Sequence, residues 1–447
     1  MKTSDFWKII ELLPILVITV ILRNAYLDSG PKIVVEADTY SYYIVGQRML
    51  QEGFWRYFVN DNRTPIYPLL LQLPQAASGI VGEKILSNSF YESMWQVVKL
   101  QYLAGIVGIV IFYETLLYLK IKKIFAWVLT LFIGCNIFVF CWDKILMTES
   151  LAILFIIGLL FFVSRLLVTL RGRYIWIVSL ILAFGFLLRP IYVALPFVIL
   201  PFIPLYHRTK RSLRAAIAVL ALYLLVPSWY LVHNAAVHQY YGINRISDTN
   251  VLGKILYYNL PIEKAKEFTA FYNDITQSRK NQGDPMPYRF LDHVPSTTPY
   301  LEGNLLGQFN RKVIIGNSWE YLSKSTAQIL PAMVDTGPFT MRSMGPRSSA
   351  NEFLYKLVDI YHAFQYLTWI ILPAFGLTVI MLVKKPSFKL AWLGLAGAIS
   401  VYQIISSVFL SYDGEYGRLI MVAQPAMYFF TFYWLGSLCK LCLHRPH

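Results

Sequence analysis

Apolar residues in this chain run in long blocks separated by short polar breaks. Ten such blocks stand out, at 9–27, 97–119, 124–141, 150–170, 174–188, 191–206, 215–232, 360–383, 390–410 and 419–438. A helix crossing a bilayer needs roughly 20 mostly apolar residues, so each block predicts a membrane span. The fifth and sixth are short and are split by Arg189-Pro190, which predicts a hairpin that only just reaches the far face. Two stretches break the pattern by their length. In the first, 28–96, residues 39–51 read as an amphipathic helix, and 67–77 are apolar but too short to span, as expected of a helix lying in the interface. In the second, 234–359, residues 263–280 and 302–330 read as helices, and Pro285, Pro287, Pro295, Pro299, Pro338 and Pro346 break the rest. A segment this long is functional or disordered, and its apolar and aromatic content predicts an ordered, mostly helical lid.

The expected fold is therefore an all-α polytopic membrane protein with about ten transmembrane helices. It divides into a seven-span module at 1–233 that includes the first outer loop, a lid at 234–359, and a three-span bundle at 360–447.

Composition supports this class. Of 447 residues, 56% are hydrophobic and 15% charged, with a mean hydropathy of +0.50, too apolar for a soluble chain of this size. The net charge of +15 would suit nucleic acid if it were clustered on one face. Instead the cations concentrate in alternate short breaks: Lys120, Lys122 and Lys123; Arg171 and Arg173; Arg208, Lys210, Arg211 and Arg214; Lys384, Lys385 and Lys389. The intervening breaks hold single cations, Lys144, Arg189 and Arg418. This positive-inside bias predicts both termini in the cytoplasm, the two long stretches outside, and no nucleic-acid partner. The start of the chain lacks a cleavage-site pattern, so the first span is expected to remain as an anchor. The outer stretches hold no cysteine and hence no disulfide framework. Cys439-x-x-Cys442 with His444 and His447 allows a metal site, against the plainer reading of thiols at the membrane edge.

The candidate chemistry lies at the outer ends of the spans. Glu36 and Asp38 follow the first span, and Arg63 leads Arg63-Thr-Pro-Ile-Tyr-Pro68 with Tyr67. Asp143, Lys144 and Glu149 sit in the third-to-fourth turn, Arg189 after the fifth span, His233 at the end of the seventh, and Asp413, Glu415 and Arg418 in the last outer turn. Ionisable groups at membrane depth tend to pair or to line a cavity, and these all lie on one side. Asp38 suits a general base or a helix N-cap. Arg63, Arg189 and Arg418 suit phosphate oxygens or lipid headgroups. Glu149 suits a site role or the dipole of the helix it opens, and His233 a site role or a plain interfacial position.

These motifs, in this order, resemble the GT-C superfamily of membrane glycosyltransferases. The likeness is to the branch holding the protein mannosyltransferases and the lipid A aminoarabinose transferase. An acidic residue follows the first span (Asp38), and a basic residue is followed by prolines and a tyrosine (Arg63 to Pro68). An acidic residue opens the fourth span (Glu149), an Arg-Pro pair ends the fifth (Arg189-Pro190), and Trp229–Asn234 ends the seventh.

The resemblance implies a bacterial member of unknown acceptor in the inner (plasma) membrane. It would transfer a sugar, with inversion, from a polyprenyl-phosphate donor to an extracytoplasmic lipid, glycan or protein. It implies Asp38 as base with Glu149 as a second catalytic carboxylate, and Arg63, Arg189 and Arg418 on the donor phosphate. Glu36, Tyr67, His233 and Glu415 would position donor or acceptor. A divalent metal shared by Asp38 and Glu149 is the one cofactor it leaves open. The rival readings are a transporter or flippase of lipid-linked saccharide and a non-catalytic subunit of an envelope assembly. A transporter would place its charges at the bilayer midplane in repeated halves, and a scaffold would tolerate loss of Asp38.

Overall fold

The computed structural model describes residues 3–78, 85–280, 290, 304–412 and 415–443, with side chains from 11 to 438. Asp413 and the side chains of Cys439, Cys442, His444 and His447 lie outside that set, as do Pro285, Pro287, Pro295 and Pro299. Within it the chain is all-helical, an integral membrane fold without a named strand. Among the described residues, six helices are long and apolar enough to cross a bilayer. They are Asn88–Tyr118, Glu149–Thr169, Pro190–His207, Lys210–His238, Glu352–Lys384 and Phe388–Leu410. A bent pair, Lys123–Gly134 and Ile137–Asp143, makes a seventh if taken as one span. The remaining three blocks of the sequence fall in Thr3–Leu27, Gln424–Leu443 and the 17-residue Gly172–Leu188.

Several helices break where the hydropathy pattern runs on, and each break has a local cause. The third span bends by 55° at Asn136. There the side-chain oxygen accepts from the Phe138 amide at 3.0 Å and its Nδ2 donates to Gln424 Oε1 at 2.9 Å. The sixth is divided into short turns by Pro190, Pro196, Pro201 and Pro204, each lacking an amide donor. The tenth apolar block opens as Tyr416–Met421 and restarts at Gln424, with Pro425 in the first turn of the new helix. In the lid, 302–330 is three helices, Leu305–Gly316, Ser318–Ala327 and Ile329–Val334. Asn317 ends the first by donating its side-chain amide to Val313 O at 2.8 Å and Pro261 O at 2.7 Å. The 263–280 stretch is helical only from Thr269 to Lys280, after a single turn at 263–265.

The core is one continuous apolar cluster through the spans, with a smaller one inside the lid around Leu252, Ile255, Phe271, Phe309 and Val313. The segment that follows the first helix is fastened to the turn before Glu149 by a parallel bridge. Val34 donates to Lys144 O at 2.9 Å and accepts from Leu146 N at 3.0 Å. Gln101, in Asn88–Tyr118, holds the same turn from the other side. Its Nε2 donates to the carbonyls of Trp142, Asp143 and Ile145 at 2.9–3.0 Å, and its Oε1 accepts from Tyr67 Oη at 2.7 Å.

Asp143 and Lys144 are part of this buried framework rather than of an exposed pocket. Asp143 pairs with Arg23 at 2.5 Å, and both side chains are 1% exposed. Lys144 donates to the carbonyls of Tyr26 and Ser29. The Arg23 guanidinium fits only because residue 105 is glycine: a Cβ there would fall 2.1 Å from Arg23 Nη1. Gly105→Ala is therefore expected to push Arg23 off Asp143 and to cost about 3 kcal/mol, the scale of a broken buried ion pair. Thermal unfolding in detergent checks this, and an unchanged Tm would refute it.

Candidate functional site: a carboxylate–guanidinium network

Six of the charged residues singled out from the sequence meet in one network. The first-loop helix Ala37–Gln51 begins one residue before Asp38, so Asp38 is not the N-cap. Glu36 is, with its amide held by Thr39 Oγ1 at 3.0 Å. Thr39 Oγ1 in turn donates to Leu146 O at 2.8 Å. This seats the start of the helix against the turn that leads into Glu149. Free of the capping role, the Asp38 carboxylate lies between two cations. Arg63 Nη2 approaches Oδ1 at 2.5 Å, and Arg418 Nη1 approaches Oδ2 at 2.7 Å.

Each guanidinium is fixed by more than its charge partner. Arg63 donates its Nε to Ser41 Oγ at 2.8 Å and lies over the Tyr42 ring at 4.4 Å. Its backbone amide donates to Asn60 Oδ1 at 3.1 Å. Tyr67 packs edge-on to Tyr42 with ring centres 5.1 Å apart, so it backs the ring beneath Arg63. Arg418 sits on Tyr416–Met421, whose Gly417 amide donates to Asp335 Oδ2 at 3.0 Å. A Cβ at Gly417 would lie 2.5 Å from Asp335 O, so only glycine allows this approach. Arg418 also pairs with Glu415 and lies 5.8 Å from the Phe339 ring centre.

Behind this half-buried rim lies Glu149, fully buried. Its Oε1 is 3.4 Å from both Arg189 Nη2 and Arg418 Nε and receives a hydrogen bond from neither. Arg189 follows Gly172–Leu188, its amide bonded to Gly185 O at 2.8 Å as the last link of that helix. Arg418 is thus shared by three carboxylates, those of Asp38, Glu149 and Glu415. A guanidinium with five donors in a planar fork can serve several acceptors where an ammonium cannot.

Two other candidates lie at the edge or apart. Glu36 faces Arg342 at 3.9 Å. His233 is separate: its ring neighbours are Trp229 and His238, with centres 6.1 and 6.2 Å away, and no contact joins it to the network among the described residues. The helix does not end there but runs on to His238. The metal reading does not fit the geometry. The place between Asp38 and Glu149 is taken by the Arg418 guanidinium, and the described residues contain no cluster of three acidic, histidine or cysteine side chains suited to a metal ion. Gln101, Tyr42, Asp335 and Phe339 support the site without having been picked out as candidates. Tyr42, four residues after Asp38 and on the same helix face, was the one open to pattern reasoning.

The electrostatics differ from one carboxylate to the next. Burial pushes the Asp38 carboxyl up, but the charges of Arg63 and Arg418 outweigh it and hold the group well below the usual carboxylate range. Burial raises Glu415, opposed by Arg418 and reinforced by the charges of Asp38 and Glu149. Burial likewise raises Glu36, against Arg342 and Arg418. A carboxyl with a depressed native pKa contributes stability above its unfolded pKa, and that stability fades as pH falls through the native one. The Tm advantage of the native protein over Asp38→Asn is therefore expected to stay constant from neutral pH down to about 5 and to shrink only below about 4. Thermal melts across pH check this, and a loss already complete at pH near 6 would contradict it. No protein-family model matches the chain, and no curated protein matches it.

Proposed function

We propose that the chain is a GT-C-type glycosyltransferase that moves a sugar from a polyprenyl-phosphate donor to an extracytoplasmic acceptor. The observation that carries the reading is the pairing of Asp38 with both Arg63 and Arg418 at the rim of an otherwise buried charge network. In this reading about ten spans cross the membrane, both termini are cytoplasmic, and the network faces outside, as the cation bias implies.

The prenyl chain lies among the spans, and the donor phosphate approaches Arg63 and Arg418 from the boundary. The acceptor oxygen bonds to the anomeric carbon from the face opposite the phosphate. The carbon–oxygen bond to phosphate breaks, polyprenyl phosphate leaves with the electron pair, and the acceptor's proton passes to Asp38. Configuration at the sugar carbon inverts. Cations set where negative charge builds on the leaving phosphate lower the barrier without reorganising.

The phosphate also competes with Asp38 for the same two guanidiniums. A carboxylate clamped by two cations is a weak base. When the phosphate draws them away, Asp38 becomes more basic with the donor in place. Glu149, fully buried, touches no substrate. It acts as a positioning residue that holds Arg189 and Arg418 toward the phosphate.

The test is incubation of purified protein in vesicles with a panel of polyprenyl-phosphate sugars and envelope extract as acceptor. The measured quantity is released carrier phosphate. Release that depends on Asp38 supports the reading. No release from any donor, or release that persists in Asp38→Asn, overturns it.

A further inference from the structure

Chain segment 305–334 of the lid carries apolar side chains on its outside, where a water-exposed domain would place polar ones. Trp319 is 79% exposed and Ile315 69%, and Leu322 and Leu330 are also exposed. Trp319 and Leu322 are three residues apart and share a face of Ser318–Ala327. The charges of that helix are turned elsewhere. Glu320 and Lys324 pair with each other at 2.7 Å, and Lys324 also donates to Tyr258 O at 2.6 Å in the body of the lid.

The position of this face relative to the spans is fixed by two contacts. Tyr321 donates its hydroxyl to the carbonyl of Phe409, one residue from the end of the spanning helix Phe388–Leu410. Trp369 donates its Nε1 to Leu330 O at 3.2 Å from within the candidate span Glu352–Lys384. Trp369 lies fifteen residues before Lys384. At 1.5 Å per residue that is about 22 Å along the helix, short of the roughly 30 Å hydrocarbon thickness. If the cationic end at Lys384 marks one boundary, Leu330 sits below the other. Tyr366 and Trp369, with ring centres 5.3 Å apart, continue the exposed aromatic row along the span itself. Amphipathic aromatics leading up to that boundary are the usual anchors of a membrane interface.

At the other end of the row, beside Ile315, is an open cleft of about 520 Å³ lined by Lys264, Arg311 and Lys312 together with Phe268. Glu267 pairs with Lys312, which leaves the cleft net positive. Positive charge next to an exposed apolar stripe is the arrangement of helices that lie in anionic bilayer surfaces.

We propose that helices Leu305–Gly316, Ser318–Ala327 and Ile329–Val334 are embedded in the lipid leaflet on the lid's side, with Trp319, Leu322 and Leu330 among the acyl chains and Lys264, Arg311 and Lys312 on anionic headgroups. The lid is then a membrane-seated roof rather than a domain standing in water. The inference rests on the spanning fold and not on the proposed reaction, and its readout requires no turnover.

The test uses the full chain with its native cysteines replaced by serine and an environment-sensitive fluorophore on Trp319→Cys, in vesicles of phosphatidylcholine with or without phosphatidylglycerol. A label on Leu322→Cys is a second probe should the first variant fold poorly, and a label on Ala270→Cys marks an exposed site elsewhere on the lid. Labels at 319 and 322 are expected to be quenched by lipids brominated on their chains and to be severalfold less open to aqueous iodide than the label at 270. Iodide access equal to that at 270, with no quenching by brominated lipid, overturns the proposal. Phosphatidylglycerol is expected to deepen the protection, and Lys264→Glu with Arg311→Glu to remove that gain. Equal protection in both vesicle types overturns the headgroup contact.

Discussion

Asp38→Asn is expected to abolish sugar transfer while tightening the hold on polyprenyl phosphate. The two effects have opposite signs because Asp38 has two functions in one place. As the base it accepts the acceptor's proton, and loss of a positioned general base costs about 10²–10⁴ in rate. As an anion it occupies Arg63 and Arg418 before any phosphate arrives, at 2.5 and 2.7 Å. An asparagine there is close in shape and carries no charge, so the Arg63 and Arg418 donors that faced Asp38 are left for the ligand, while Arg418 keeps its contacts to Glu149 and Glu415. Charge-assisted bonds to phosphate from the donors released by Asp38 make the expected gain in affinity about tenfold. Titration of the detergent-solubilised variant with polyprenyl phosphate measures binding, and carrier release measures transfer. A structural carboxylate in a scaffold would show neither effect. Loss of transfer together with weaker phosphate binding would show that Asp38 orders the guanidiniums rather than competing for them, and would remove the proposed link between donor arrival and basicity.

The residues of this network were visible in the sequence for one physical reason. An ionised side chain beside a hydrophobic span has few tolerable environments, so Asp38, Arg63, Glu149, Arg189, Glu415 and Arg418 stood out by position. Which charge pairs with which was not visible. Asp143 and Lys144 look as exposed as Glu149 when read along the chain, yet they point into the bundle. Their partners, Arg23 for Asp143 and the Tyr26 and Ser29 carbonyls for Lys144, lie in or just past the first apolar block, more than a hundred residues away. The cap reading of Asp38, weighed beside that of a base, fails because local pattern cannot place a helix start to within a residue or two, and Glu36 takes that position. Gln101 and Asp335 gave no signal. One is a neutral residue inside a span and the other a lone acid in a loop, and their importance lies in backbone groups that only tertiary structure brings to them. Hydropathy likewise located the helices but not their breaks at Asn136 and Asn317, where a side-chain amide takes over backbone hydrogen bonds.

Arg418→Ala is expected to be the most damaging single change in the site, greater than Arg63→Ala. Among the described residues Arg63 pairs with the Asp38 carboxylate at the rim of the network. Arg418 balances three, and one of them, Glu149, has no access to water. Removing a partner from a buried ion pair leaves an uncompensated charge and costs about 3–5 kcal/mol. After the change the one cation left to Glu149 among the described residues is Arg189 at 3.4 Å, without a hydrogen bond to it at Oε1, beside a long contact from the Thr148 hydroxyl to Oε2 at 3.5 Å. The buried acid then has to take up a proton or admit water. Arg418→Lys separates charge from geometry. An ammonium keeps the positive charge but lacks the planar fork that reaches Asp38, Glu149 and Glu415 together. It is expected to recover part of the stability and little of the transfer. The added variant Glu149→Gln in an Arg418→Ala background supplies the internal check. If the cost arises from a stranded carboxylate, neutralising it restores Tm toward that of the native protein, and the two changes are strongly non-additive. Additive losses in the double variant would instead mean that Arg418 stabilises the fold through its packing over Phe339 and not through charge.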